Sequence, residues 1–166
     1  GPSPERSGFM SAVGSWHLEG SKNLTHGNHM KLERVTYERL NSRQKERFNF
    51  QKVSALLADY GFATLKLDDD WQGADFIAVH ITGEHLKVQL KSRLTFDTKY
   101  KCKGIHIVFP NDGNWYLIDH DKMLDEFLKR FADTFAMTAS WGKGGYSWNH
   151  LSREKLDLLK PFRLQP

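Results

Sequence analysis

The stretch from Ala74 to Lys91, ADFIAVHITGEHLKVQLK, constrains the fold of this chain more than any other. Ala74–Ile81 is apolar and β-branched, and Leu86–Lys91 alternates strictly between apolar and polar residues. Thr82-Gly83-Glu84-His85 between them has the chemistry of a turn. The segment predicts two adjacent strands of a hairpin. Side chains alternate across a strand, so Leu86, Val88 and Leu90 point one way and Lys87, Gln89 and Lys91 the other. Gln89 and Lys91 then stand about 7 Å apart at their α-carbons. Asp75 opens the first strand, and the hairpin brings it within reach of that pair.

The flanking sequence supplies a helix before this hairpin and more sheet after it. Asn41 or Ser42 caps a helix running to about Tyr60, with Gly61 as its stop. Phe50, Val53, Leu57 and Tyr60 recur at helical spacing as a core face. Four residues further back that stripe lands on Glu46. A carboxylate on the buried side of a helix is costly unless something binds it, so Glu46 is a candidate functional residue. Glu38 replaces it if the helix is rotated or starts earlier. Phe62–Leu67 predicts a strand. Asp68-Asp69-Asp70 forms a solvated turn, and Gly73 allows the sharp approach to Asp75. Ile105–Phe109 and Asn114–Ile118 pair around the turn Pro110-Asn111-Asp112-Gly113. Asp119 or Asp121 caps a helix with Met123, Leu124, Phe127, Leu128 and Phe131 on its apolar side. Ala139–His150 carries Trp141, Tyr146 and Trp148 among glycines, as a base-stacking or minor-groove loop or as a packed lid. Its Gly142-Lys143-Gly144-Gly145 lacks the spacing of a phosphate loop. Ser152 starts a last helix, to Lys160, which Pro161 ends.

The polar residues of the hairpin make a chemical proposal. The Asp75 carboxylate and the Gln89 amide oxygen are hard ligands suited to Mg²⁺, and the backbone carbonyl of Leu90 is a further one. Lys91 is placed to hold or activate an attacking water, or to stabilise charge on phosphorus in the transition state. The net charge of the chain is only +4, but it is unevenly spread. Between Lys87 and Lys103 six cations (Lys87, Lys91, Arg93, Lys99, Lys101 and Lys103) stand against one anion, Asp97. Such a strip beside the site suits a polyphosphate backbone. Tyr100 within it either stacks on a base or packs inward. The single cysteine, Cys102, excludes an intrachain disulfide and a cysteine-rich zinc site, and favours a reducing, intracellular setting. No stretch approaches the roughly 18 apolar residues of a membrane span.

The motif Asp75…Gln89-Leu90-Lys91 on adjacent strands behind a helix resembles the PD-(D/E)xK nuclease superfamily, in the variant where Gln replaces the second acidic residue. The resemblance covers about residues 41–131. It implies an α/β, restriction endonuclease-like core, a central mixed sheet of four to five strands flanked by helices. It further implies metal-dependent hydrolysis of phosphodiester bonds. Asp75, Gln89 and the Leu90 carbonyl would hold Mg²⁺, with Mn²⁺ as substitute. Lys91 would assist the attacking water, and Glu46 would support the metal or the water. Lys87, Arg93, Lys99, Lys101 and Lys103 would bind nucleic acid. DNA is the expected partner, with RNA as an alternative, and double-strand cleavage would call for a homodimer. The neutral Gln89 lowers the charge of the site and weakens metal binding. The other reading is a non-catalytic nucleic-acid-binding module that keeps the fold. Residues 30–166 are expected to form one domain. Residues 1–29 are Ser-, Gly- and His-rich, lack periodicity, and read as a flexible or partly vector-derived segment. Met30 is a plausible natural start, and the His26–His29 cluster is assigned no function.

Overall fold

Asn41 and Gln44 start the first helix by satisfying each other's orphan groups. The Gln44 N–H donates to the Asn41 side chain and the Asn41 N–H donates to the Gln44 side chain, each at 2.9 Å. This capping box opens α1 (Ser42–Asp59), and the chain turns off it through Gly61 at φ +82°. Val53 and Leu57 are buried as their spacing requires, Phe50 is half-buried, and Tyr60 remains largely exposed. The computed structural model describes residues 31–166, and its helices and strands all lie in the unit Thr36–Pro166. The reading of residues 1–29 as an appended segment, with its His26–His29 cluster, and of Met30 as a start lies outside the described residues.

After α1 come β1 (Phe62–Trp71), β2 (Ala74–His80), β3 (His85–Leu90), β4 (Thr95–Asp97), β5 (Ile105–Asn111) and β6 (Asn114–Asp119). Then follow α2 (His120–Phe135), α3 (Ala139–Gly142), β7 (Gly145–Ser147), α4 (Arg153–Leu159) and β8 (Arg163–Leu164). The main sheet runs β1-β2-β3-β5-β6-β8. All its pairs are antiparallel except β3 and β5, which run parallel. The sheet is thus mixed, as expected, but has six strands rather than four or five. The addition is β8, a strand of two residues that follows the last helix and is too short to carry an alternating pattern.

Helices cover both faces. Val53 and Leu57 of α1 share a core with Phe76, Ala78, Val88 and Val108. On the other face Met123, Leu124, Phe127, Phe131 and Phe135 of α2 pack with Ile105, Ile107, Phe109 and Ile118. A parallel pair needs a crossover, and here it runs through β4 and the 3₁₀ turn Thr98–Tyr100. That crossover holds most of the basic strip.

β4 pairs with β7 in a separate two-stranded ribbon. Beneath it Phe96 meets Phe127 and Trp148 edge-to-face at 5.2 and 5.5 Å, and Trp148 lies 4.6 Å from Tyr146. This resolves the two accounts of the glycine-rich aromatic segment. Trp148 is buried and Trp141 and Tyr146 pack against the core, so the segment is a packed lid and not a loop of free stacking rings. Tyr100 is likewise buried, at 1% exposure, and is unavailable to stack on a base. Among the described residues no helix is long and apolar enough to cross a membrane.

Candidate active site

Asp75 sits where the regular sheet opens on both sides of it. β1 and β2 pair in one register from Phe62 and His80 to Lys66 and Phe76, and then shift so that Trp71 pairs with Ala74. The segment Leu67–Asp70 therefore bulges opposite the single residue Asp75. Gln72 and Gly73, at φ +52° and +90°, make the two-residue turn, the conformation that favours a tight hairpin. A Cβ on Gly73 would lie 3.0 Å from the Tyr100 ring, so the turn is pinned against that ring. The expected Asp68–Asp70 turn is accordingly corrected. These residues form the exposed, bulged end of β1, and only Asp70 does turn work, accepting the Gly73 N–H at 2.6 Å. Bulges of this kind re-aim side chains beside functional sites.

On the other side, β2 and β3 pair through Phe76 and Val88. One step further along that register Asp75 comes alongside Gln89. Here a side chain replaces the ladder: Asp75 Oδ2 accepts the Leu90 N–H at 2.8 Å. Asp75 is half-buried, and burial raises its pKa above the ordinary carboxylate range. The Leu90 N–H and the charges of Lys66 and Lys91 oppose that rise, and the Glu46 charge adds to it. Gln89 is 9% exposed, and its Oε1 is buried with no hydrogen-bond partner among the described residues. A buried acceptor without a partner is costly, and this oxygen could serve as a ligand to a hard cation. The Lys91 N–H donates to the Val108 carbonyl at 2.9 Å, holding the backbone one residue past the end of β3. Its Nζ lies 5.4 Å from the centroid of the Tyr100 ring, which also carries Lys99 Nζ at 5.0 Å.

Glu46 departs from its expected setting. It is exposed, not buried, and Lys66 reaches it from β1 at 2.7 Å. The Lys66 hydrogen bond and charge hold the Glu46 carboxyl below its usual pKa. The residue still reaches the motif. It lines a cleft of about 390 Å³ with Asn49, Leu90 and Lys91, and a second of about 450 Å³ with Arg43, Arg47 and Lys66. Lys66 is a candidate site residue that the linear sequence conceals. It stands across the ladder from Phe76, beside Asp75, and only the pairing of β1 with β2 identifies it.

The basic strip divides. Lys87 Nζ donates to Gln72 Oε1 at 3.0 Å, tying β3 to the hairpin turn. Arg93 donates to Asn149 Oδ1, and Lys99 faces Asp97 at 3.8 Å. Lys101 and Lys103 are exposed and make no ion pair among the described residues.

The described residues hold no group of three or more His, Cys, Asp or Glu arranged to bind a metal ion. One carboxylate, one unpartnered amide oxygen and a backbone carbonyl instead make a sparse, all-oxygen donor set. That set suits a hard ion which keeps most of its water, as Mg²⁺ does.

No family model matches the chain, and no curated protein matches it. Among solved structures, the bacterial homing endonuclease I-Ssp6803I is similar at 14% identity and a TM-score of 0.42, over 74% of this chain and 86% of that one.

Proposed function

We propose that this chain is a metal-dependent endonuclease that hydrolyses phosphodiester bonds in DNA. The observation that carries the proposal is the buried, unpartnered Gln89 Oε1 in register with Asp75, with Lys91 two residues on. Asp75, Gln89 and the Leu90 carbonyl would hold Mg²⁺ or Mn²⁺. When bound, the ion offsets phosphate charge and polarises the P–O bonds. Burial of Asp75 raises the cost of its charge, and a bound cation would relieve that cost.

Lys91 stabilises the negative charge that builds on the phosphoryl oxygens as the water oxygen adds, losing its proton to solvent, and the bond to the leaving oxygen breaks, that oxygen taking a proton from solvent. Its ammonium also orients the water. Glu46, kept ionised by Lys66, accepts a hydrogen bond from that water and orients it from the helix side. Lys101 and Lys103, with the cations of α1, hold the flanking phosphates.

The second reading is a non-catalytic DNA- or RNA-binding module. It is favoured by the single carboxylate of the strand motif and by the Glu46–Lys66 pair, which leaves Glu46 little charge to spare. An end-labelled duplex oligonucleotide separates the two readings. The proposal expects hydrolysis products in Mg²⁺ or Mn²⁺ from the wild type and none from Asp75→Asn. Salt-sensitive binding without products in either metal supports the second reading.

A further inference from the structure

The β4–β7 ribbon turns a polar face away from the core. Its register pairs Thr95 with Ser147 and Asp97 with Gly145, and two residues further the same register brings Arg93 opposite Asn149. Phe96 and Trp148 lie beneath, so alternation sends Arg93, Thr95, Asp97, Ser147 and Asn149 outward. The facing side chains order one another. Thr95 Oγ1 and Ser147 Oγ are 2.8 Å apart, and Arg93 bonds Asn149. Gly145 adds no side chain, and the face forms a shallow trough of about 440 Å³.

We propose that this trough is the base-reading surface of the protein, set into the major groove of duplex DNA. The inference rests on the nuclease reading of the neighbouring site. A surface built only to hold phosphates would be uniformly cationic. This one mixes guanidinium, amide, hydroxyl and carboxylate groups, the donors and acceptors that base edges require. Lys99 borders it beside Asp97, and Lys91 shares the Tyr100 ring with Lys99. The outer face of the ribbon is free to lie along a groove about 12 Å wide, with its side chains toward the base edges. Arg93 follows Lys91 by two residues, which span at most about 7 Å, so the bases read lie within a few steps of the bond cut. Arg93 is suited to the acceptor edge of guanine, and Asn149 to adenine.

The test is selection of bound duplexes from a random-sequence pool, with the full chain and no divalent metal, for wild type, Arg93→Lys, Asn149→Ala and Lys101→Ala. The wild type should enrich a motif. Arg93→Lys and Asn149→Ala should each erase preference at one or two positions and weaken binding to that motif on the order of 10- to 100-fold. Their binding to unrelated duplex should stay within about twofold. Lys101→Ala, a phosphate contact, should weaken all sequences alike. No motif from the wild type, or a motif untouched by Arg93→Lys and Asn149→Ala, overturns the inference. Cleavage without a motif would leave the nuclease reading standing alone. A motif lost in Arg93→Lys from a protein that cleaves nothing would uphold the ribbon and defeat the nuclease.

Discussion

Asp75 pays for its position in the metal-free protein. Burial raises its pKa, so the folded state favours the protonated form more than the unfolded chain does. The resulting stabilisation is complete below the ordinary carboxylate pKa and is lost as pH rises through the raised value. At pH 7.5 Asp75→Asn should therefore unfold at a temperature equal to or above that of the wild type. The Asn carboxamide oxygen can still accept the Leu90 N–H. Millimolar Mg²⁺ should raise the unfolding temperature of the wild type and not of the variant. Thermal scans at pH 7.5, with and without the ion, check both statements. A less stable Asp75→Asn that still responds to Mg²⁺ would contradict this account of Asp75. Gln89 and Lys91 were readable as site candidates because strict alternation puts them on one face. Lys66 was not, since its nearness to Glu46 and Asp75 arises only when β1 pairs with β2.

At the scale of elements, legibility followed the locality of the physics. α1 is announced by a cap and a helical stripe, and the β2–β3 hairpin by alternation around a turn. The bulge Leu67–Asp70 has no such signature, because three aspartates read as solvated whether they sit in a turn or in a distorted strand. The β4–β7 ribbon is equally silent. Thr95 and Ser147 lie 52 residues apart, and three-residue strands are too short to show a period. Removing the Asn41 cap by Asn41→Ala should cost about 1 kcal/mol. Phe96 is fully buried and meets the rings of His120, Phe127 and Trp148. Phe96→Ala should cost about 3–5 kcal/mol. Urea denaturation of both variants measures the contrast. Equal losses would mean that the ribbon is not anchored through Phe96.

Across the whole molecule, the sheet places a half-buried carboxylate, a buried amide and a lysine at one opening, with exposed cations on the crossover that follows. The proposed DNA contact predicts a binding constant that falls steeply with salt. Lys101→Gln with Lys103→Gln should lower the slope of log K against log salt by about 2, and adding Lys99→Gln should change it little, because Lys99 already faces Asp97. Fluorescence anisotropy on a labelled duplex across a salt series measures this. A third full unit from Lys99 would show that its pair with Asp97 breaks on binding. The central claim is that Asp75, Gln89 and Lys91 form a working hydrolytic site. Its most direct test is nicking of supercoiled plasmid by wild type and Lys91→Ala in Mg²⁺, Mn²⁺ and EDTA. The wild type should nick only with metal and not in EDTA, and Lys91→Ala should lose at least 100-fold (about 2.7 kcal/mol). Undiminished nicking by Lys91→Ala, or nicking in EDTA, would contradict it.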